Sequence, residues 1–316
     1  MIKYSRDKFL IGSCVVKITC FEDLRDQAKK METKPVVAVV EACDLTTMNA
    51  IADAVRDEII HPMLIGDAGK IEKMTAELGL TKCDIIQAEN AEQSLQQAVR
   101  LINKGQAQAV MKGNIESKDF LKAIVNKENN LLAGEQTLLS LAGLFEVPRY
   151  HKIFAISDMV INTYPDLNSK KIIIQNAVKM LNALGIGNPK VAVLAAVDKL
   201  NPKMPETVDA AELKKMNNEI QNCVIEGPIS FDLATNAQAA EIKGYQSPVA
   251  GDADLLIVPD ITSGNMLAKC LTGFAGAKTA GTVLGAKVPV ILTSRSAEPS
   301  DKYYSIALAA CLGGLR

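Results

Sequence analysis

Short apolar runs alternate along the chain with longer segments whose apolar positions recur every three or four residues. The runs fall at 36–40, 63–65, 85–87, 107–111, 153–156, 191–195, 223–225, 255–258 and 288–293, and are rich in Val, Ile, Leu and Ala. Bounded by turn formers, they read as strands. Over 91–104, Leu95, Ala98, Val99, Leu101 and Ile102 lie mainly on one helical face. Over 169–184, Ile173, Ala177, Met180, Leu181 and Leu184 do the same, and Gly185 supplies a helix stop. Strand and helix in alternation predict an α/β protein. Unbroken apolar strands such as VAVLAA predict a sheet covered by helices on both faces. No linker rich in Pro, Gly or Ser divides the chain and no repeat recurs at a fixed period, so closely packed domains are expected. Turn clusters stand at 133–135, 202–205 and 227–228, the first being the candidate crossing between domains.

A chain of 316 residues has the length of about two domains. Its 35 Lys and Arg balance 36 Asp and Glu, with no basic block, which argues against a nucleic-acid partner. The apolar stretches are too short for a membrane span, and the start, MIKYSRDKFLIGSCVV, lacks the apolar core of a signal peptide. A cytoplasmic protein is expected. Seven cysteines (Cys14, Cys20, Cys43, Cys83, Cys223, Cys270 and Cys311) form no CxxC pair and read as free thiols. His61 and His151 are the only histidines, so a histidine-based metal site or triad is not expected.

In open parallel sheets ligands bind beyond the carboxyl ends of strands, where helix N-termini offer free N–H groups. Three strand exits carry suitable residues. After 107–111 come Lys112, Gly113 and Asn114, with Ser117 placed to cap the next helix; the same residues also make an ordinary turn. After 255–258 come Ser263, Gly264 and Asn265, which could cradle a phosphate or simply cap a helix, with Ser263 or Gly264 as the cap. After 288–293 come Ser294, Arg295, Glu298 and Asp301. A guanidinium there suits a phosphate and a carboxylate suits proton transfer, although first-turn acids with an arginine partner are also common. Neither a Walker A motif nor GxGxxG is present.

The stretch VPVILTSRSAEPSDKYYSIALA closely resembles the C-terminal signature of phosphate acetyltransferases and phosphate butyryltransferases. The stretches VMKGNIESKDFLKAIVNKE, LFEVPRY, PDLNSKKIIIQNAVKMLNALGI, PKVAVLAAVDKLNPKMPETVDA, EGPISFDLA and GDADLLIVPDITSGNMLAK resemble the same family in the same order. The resemblance covers about 200 residues from Ala107 onward, and its NPKMP stretch resembles the butyryl branch. It implies two α/β/α domains of the isocitrate/isopropylmalate dehydrogenase-like type with the active site in the cleft between them. The first would join 1–136 to 282–316; the second, 137–281, would dimerise. The implied reaction is acyl-CoA plus phosphate giving acyl phosphate plus coenzyme A, by direct attack, with no metal or bound cofactor.

In family terms Arg295 would hold phosphate, Asp301 would exchange a proton with the thiol, and Ser294 would position the sulfur. Lys112, Gly113, Asn114, Ser263, Gly264 and Asn265 would wall the cleft. An arginine that butyryl-type relatives commonly carry is replaced here by Leu132, and Lys112 or Lys127 could supply its charge. Two rivals remain at this point. A nicotinamide-dependent dehydrogenase would need clustered acids for a divalent metal, of which Asp252 and Asp254 are the nearest pair. A non-catalytic acyl-CoA or acyl-phosphate sensor would keep the fold alone.

Overall fold

The computed structural model describes residues 17–134, 137–294 and 297–313. Eleven strands among them form one sheet: β1 Val36–Val40, β2 His61–Gly66, β3 Asp84–Gln87, β4 Ala109–Lys112, β5 Ser140–Glu146, β6 Phe154–Ser157, β7 Lys190–Leu194, β8 Val224–Ile229, β9 Leu255–Ile257, β10 Lys278–Leu284 and β11 Val290–Ile291. Their order is β3-β2-β1-β4-β11-β10-β5-β6-β9-β7-β8. The first five run parallel to one another, as do the last four, while β10 and β5 pair antiparallel with each other and with their outer neighbours. The two parallel blocks therefore point in opposite directions across an antiparallel junction.

Alternation along the strands feeds two cores. Val37 and Val39 face one, with Phe21 and Leu24 of α1 (Phe21–Lys30), Met48 and Ile51 of α2 (Leu45–Arg56), Ile71 of α3 (Ala68–Leu78), Ile173 and Leu181 of α6 (Leu167–Ala183), Leu213 of α7 (Pro205–Lys215) and Ile306 and Leu308 of α11 (Pro299–Gly313). Ala38 and Val40 face the other, with Ala98 and Ile102 of α4 (Ala91–Asn103), Phe120 of α5 (Ser117–Val125), Leu233 of α8 (Phe231–Thr235), Ala240 of α9 (Ala237–Ile242) and, partly buried, Leu267 and Leu271 of α10 (Ile261–Ala275). The expected double covering is present. No helix among the described residues is long and apolar enough to cross a membrane.

Three local expectations are corrected. Ser117 is the first residue of α5, not its cap; Glu116 precedes it without a side-chain cap bond. Neither Ser263 nor Gly264 caps α10: Asp260 does, accepting from the Ser263 N–H at 2.9 Å, and Ser263 sits one turn inside as the far half of a capping box. The run 288–293 contributes only two residues to the sheet, because β11 meets β10 at the single pair Val283 and Val290.

Candidate active site

That short pairing leaves the outer edge of β10 without a strand partner. The β10 residues Thr279 and Gly281 lie opposite Phe145 and Gly143 of β5, and their N–H groups point to the other side. There α11 takes the place of a strand: the Asp301 carboxylate accepts from the Thr279 N–H at 3.0 Å and the Ser305 hydroxyl from the Gly281 N–H at 2.9 Å. Ser305 in turn donates to the Asp301 carbonyl at 2.7 Å, so the two positions, one turn apart, are locked together. A buried edge N–H needs such an acceptor, and this need explains why an acid in the first turn of α11 turns toward the sheet.

A cleft of about 610 Å³ opens beside this junction. Its walls are Leu141, Gly143 and Phe145 from β5, Met159 beyond β6, the C-terminal half of α10, Thr279 and Gly281, and Thr293, Ser294, Glu298 and Asp301 from the β11–α11 connection. The cleft thus brings Ser294 and Asp301 together. Arg295, between them in sequence, lies outside the described residues. Burial pushes the Asp301 carboxyl above the usual carboxylate range; the Thr279 N–H opposes the shift and the nearby Glu298 charge adds to it. A thiol near 8.5 stands about 4.6 units above a free Asp near 3.9, so raising the carboxyl narrows the gap a proton must cross. The Thr293 hydroxyl oxygen is buried and has no hydrogen-bond partner among the described residues.

The other expected wall residues line different places. Strands β4 and β9 are separated by β11, β10, β5 and β6 and run in opposite directions, so their carboxyl ends leave the sheet from opposite edges. The buried Lys112 ammonium donates to the Gly113 carbonyl at 3.1 Å and the Ile115 carbonyl at 2.9 Å. Gly113 packs on the end of β1, where a Cβ would overlap the Glu41 carbonyl oxygen and stand 2.7 Å from that of Val40; the Asn114 N–H donates to the Glu41 carbonyl. Gly264 lets α10 approach β9, since a Cβ would come within 2.7 Å of Val258 Cγ2. Asn265 Nδ2 reaches only the Met159 carbonyl, at 3.5 Å. None of these six residues lines the cleft. Leu132 does not either; half-buried, it packs against the second core and bridges Ala286.

The acids that a dehydrogenase would need for metal are engaged elsewhere. Asp252 pairs with Lys152 at 2.7 Å, Lys190 at 2.5 Å and His151 at 2.7 Å, and Asp254 with Lys152 at 2.6 Å. Burial alone would raise Asp252, but these three partners outweigh it and hold the carboxyl well below its usual range. The network ties the entry of β6 to those of β7 and β9.

Reasoning from the sequence missed Gly143, Thr279 and Gly281 because β5 and β10 are not among the apolar runs, and it also missed Met159 and Thr293. One signal was present. Asp-Met-Val-Ile-Asn after β6 forms a tight turn in which Asp158 accepts from the Val160 N–H at 2.9 Å and the Ile161 N–H at 3.1 Å, fixing Met159 between them.

Fold and cleft together define a class, the phosphotransacylases. A branched-chain phosphotransacylase from Enterococcus faecalis V583 superposes with a TM-score of 0.81 at 32% identity, over 88% of this chain and 99% of that one. A phosphotransacetylase from Streptococcus pyogenes has a TM-score of 0.77 at 21% identity, a likeness of fold, over 93% of this chain and 97% of that one. A family model described as phosphate acetyl/butaryl transferase matches residues 81–310. A phosphate butyryltransferase from Clostridium acetobutylicum is 38% identical over 94% of this chain and 99% of its own length. A phosphate acetyltransferase from Rhizobium meliloti is 37% identical over 92% of each chain. The chain belongs to the phosphate acetyl/butyryl transferase family.

Proposed function

We propose that this acyltransferase moves a short, butyryl-sized acyl group between coenzyme A and inorganic phosphate: acyl-CoA plus phosphate gives acyl phosphate plus coenzyme A. The observation that carries the reading is Asp301, held by a backbone N–H in a cleft it shares with Ser294, with its carboxyl raised by burial. Likeness to the butyryltransferase of C. acetobutylicum over nearly its full length supports the butyryl assignment.

A phosphate oxygen attacks the thioester carbonyl, the C–S bond breaks, and the departing sulfur takes the proton that Asp301 carries. In the reverse direction the Asp301 carboxylate accepts the thiol proton as sulfur attacks the acyl phosphate. We assign Ser294 the hydrogen bond to the sulfur and Arg295 the contact to phosphate. Holding both substrates in one cleft makes positioning a large part of the rate. The equation balances with the two substrates alone, and we assign no metal or bound cofactor to it.

We place the enzyme in the cytoplasm, with 1–136 and 282–316 forming one domain and 137–281 the other. Position 282 falls inside β10, so the junction is the antiparallel pair itself. We assign a homodimer as well. Helix α10 buries only Gly264, while Met266 and Phe274 on it are 63% and 93% exposed, an apolar surface suited to a second copy.

Phosphate-dependent thiol release from acetyl-, propionyl-, butyryl- and isobutyryl-CoA tests the function. Release that requires phosphate and is fastest with four-carbon substrates is expected. A folded protein that releases none would leave the sensor reading in its place, and release fastest with acetyl-CoA would make the enzyme an acetyltransferase.

A further inference from the structure

The cleft has a bare floor. Gly143 and Gly281 stand directly opposite each other in the β5–β10 register, so two adjacent strands present backbone alone at that point. The two glycines are not equivalent. A Cβ on Gly143 would overlap the Met159 methyl and come within 3.2 Å of Phe145 Cε2, so its space is already filled by the methionine. A Cβ on Gly281 would meet nothing closer than Leu141 Cδ2 at 3.9 Å and the Ala142 carbonyl at 4.0 Å, so its space belongs to the cleft.

Lateral order across the sheet follows from the pairing. Asp301 and Ser305 flank the outer edge of β10; Gly281 lies next, then Gly143 on β5 with the Met159 methyl seated over it. Adjacent strands are about 4.8 Å apart, so the path from Gly281 to Gly143 matches the span of a short alkyl chain. Leu141, Phe145 and Leu292 make the surroundings apolar. The buried Asp158 fixes the turn that carries Met159 through four hydrogen bonds to residues 160–162, so the methionine is a held stop and not a loose cover.

We propose that the acyl chain of the substrate lies over Gly281 and ends against the Met159 methyl that covers Gly143, which makes position 281 the determinant of chain width and Met159 that of chain length. The inference rests on the acyl-transfer reading and adds to it the residues that choose the acyl group. A Cβ at 281 would project into the substrate's path with no protein atom closer than 3.9 Å, and removing the methionine side chain would lengthen the trough.

The test uses Gly281→Val and Met159→Ala in the full chain, with kcat/KM for acetyl-, butyryl-, isobutyryl- and hexanoyl-CoA at saturating phosphate. Equilibrium binding of the same thioesters is measured beside it. Discrimination by a methylene in a fitted pocket reaches about 10 to 200-fold. Gly281→Val should lower the butyryl-to-acetyl ratio at least about tenfold, with isobutyryl falling most. Met159→Ala should raise the hexanoyl-to-butyryl ratio by a similar factor. Equal losses for all thioesters, or unchanged ratios in both variants, would overturn the assignment. The binding ratios decide the pocket even if the wild-type chain turns nothing over, an outcome that would instead remove the acyl-transfer reading. Met159→Ala empties a core position and can lower stability; Gly281→Val leaves the core untouched, so the two variants do not share that failure.

Discussion

Asp301→Asn is the sharpest perturbation of the proposed chemistry, because it changes proton affinity and almost nothing else. Asparagine has the same shape, and its carbonyl oxygen can keep the 3.0 Å hydrogen bond from the Thr279 N–H that fixes the side chain. Loss of a positioned general acid–base group costs about 10²- to 10⁴-fold in rate, or roughly 3 to 5.5 kcal/mol of barrier at 1.36 kcal/mol per decade. Substrate binding gains or loses little, so kcat should fall by that factor with KM for phosphate and thioester within about threefold. Stability should move the other way. A carboxyl whose folded pKa is raised destabilises the fold at neutral pH, and the cost is relieved as pH falls through the folded value. An uncharged amide removes the cost, so the variant should unfold at the same or a higher denaturant concentration at pH 7.5 than the wild type, and the two should converge in acid. In the acyl-phosphate-consuming direction the wild-type rate should fall on the acid side as Asp301 is protonated, at a pH above the usual carboxylate range, and the variant should lack that limb. A loss in kcat under about tenfold, or an unchanged acid limb, would refute the assignment of the proton to Asp301.

Lys152→Met strips the buried Asp254 of its lysine and Asp252 of one of two, and should cost about 3 kcal/mol in urea unfolding with catalysis intact; a change under about 1 kcal/mol would mean the network is decorative. Because Asp252 is held below its usual range, its share of stability is present above the ordinary carboxylate pKa and disappears as pH falls toward the folded value. Leu132→Arg should destabilise the protein and leave KM for phosphate unchanged, since the side chain packs on the second core away from the cleft; a tenfold lower KM would show that the position faces substrate after all. Phe274→Glu should convert a dimer to monomers in analytical ultracentrifugation, and an unaltered sedimentation coefficient for a dimeric wild type would move the interface off α10.

Nine strands are visible in the sequence because each carries a short apolar run, which most owe to burial on both faces of the sheet; the edge strand β3 is the exception. The two that are not visible, β5 and β10, form the antiparallel junction. β10 reads Lys-Thr-Ala-Gly-Thr-Val-Leu, with polar residues and a glycine where a covered strand would carry Val or Ile. Its composition follows from its position: one side borders the cleft and its outer edge is closed by side chains of α11. In β5, Ser-Leu-Ala-Gly-Leu-Phe-Glu, the central glycine gives its space to Met159. The features that hide these strands from an apolar-run reading are the ones that shape the cleft between them.

The same junction explains which site residues could be read and which could not. Ser294 lies on the connection that leads into α11 and Asp301 in the first turn of that helix, so the cleft they share follows from chain continuity once α11 begins at Pro299. Lys112 and Ser263 both lie beyond carboxyl ends of parallel strands, and within one block those ends leave the sheet from the same edge. Across the junction direction reverses, and the two exits leave opposite edges of the sheet. No local pattern marks that reversal, because a strand carries no record of its direction relative to strands over a hundred residues away. Lys112 shows the cost of reading charge without burial. A lysine at a strand exit suits an anion only if its ammonium can reach one, and here the carbonyls of Gly113 and Ile115 already hold it. Among the residues that line the cleft, Lys269 on α10 stands exposed and presents a cation there.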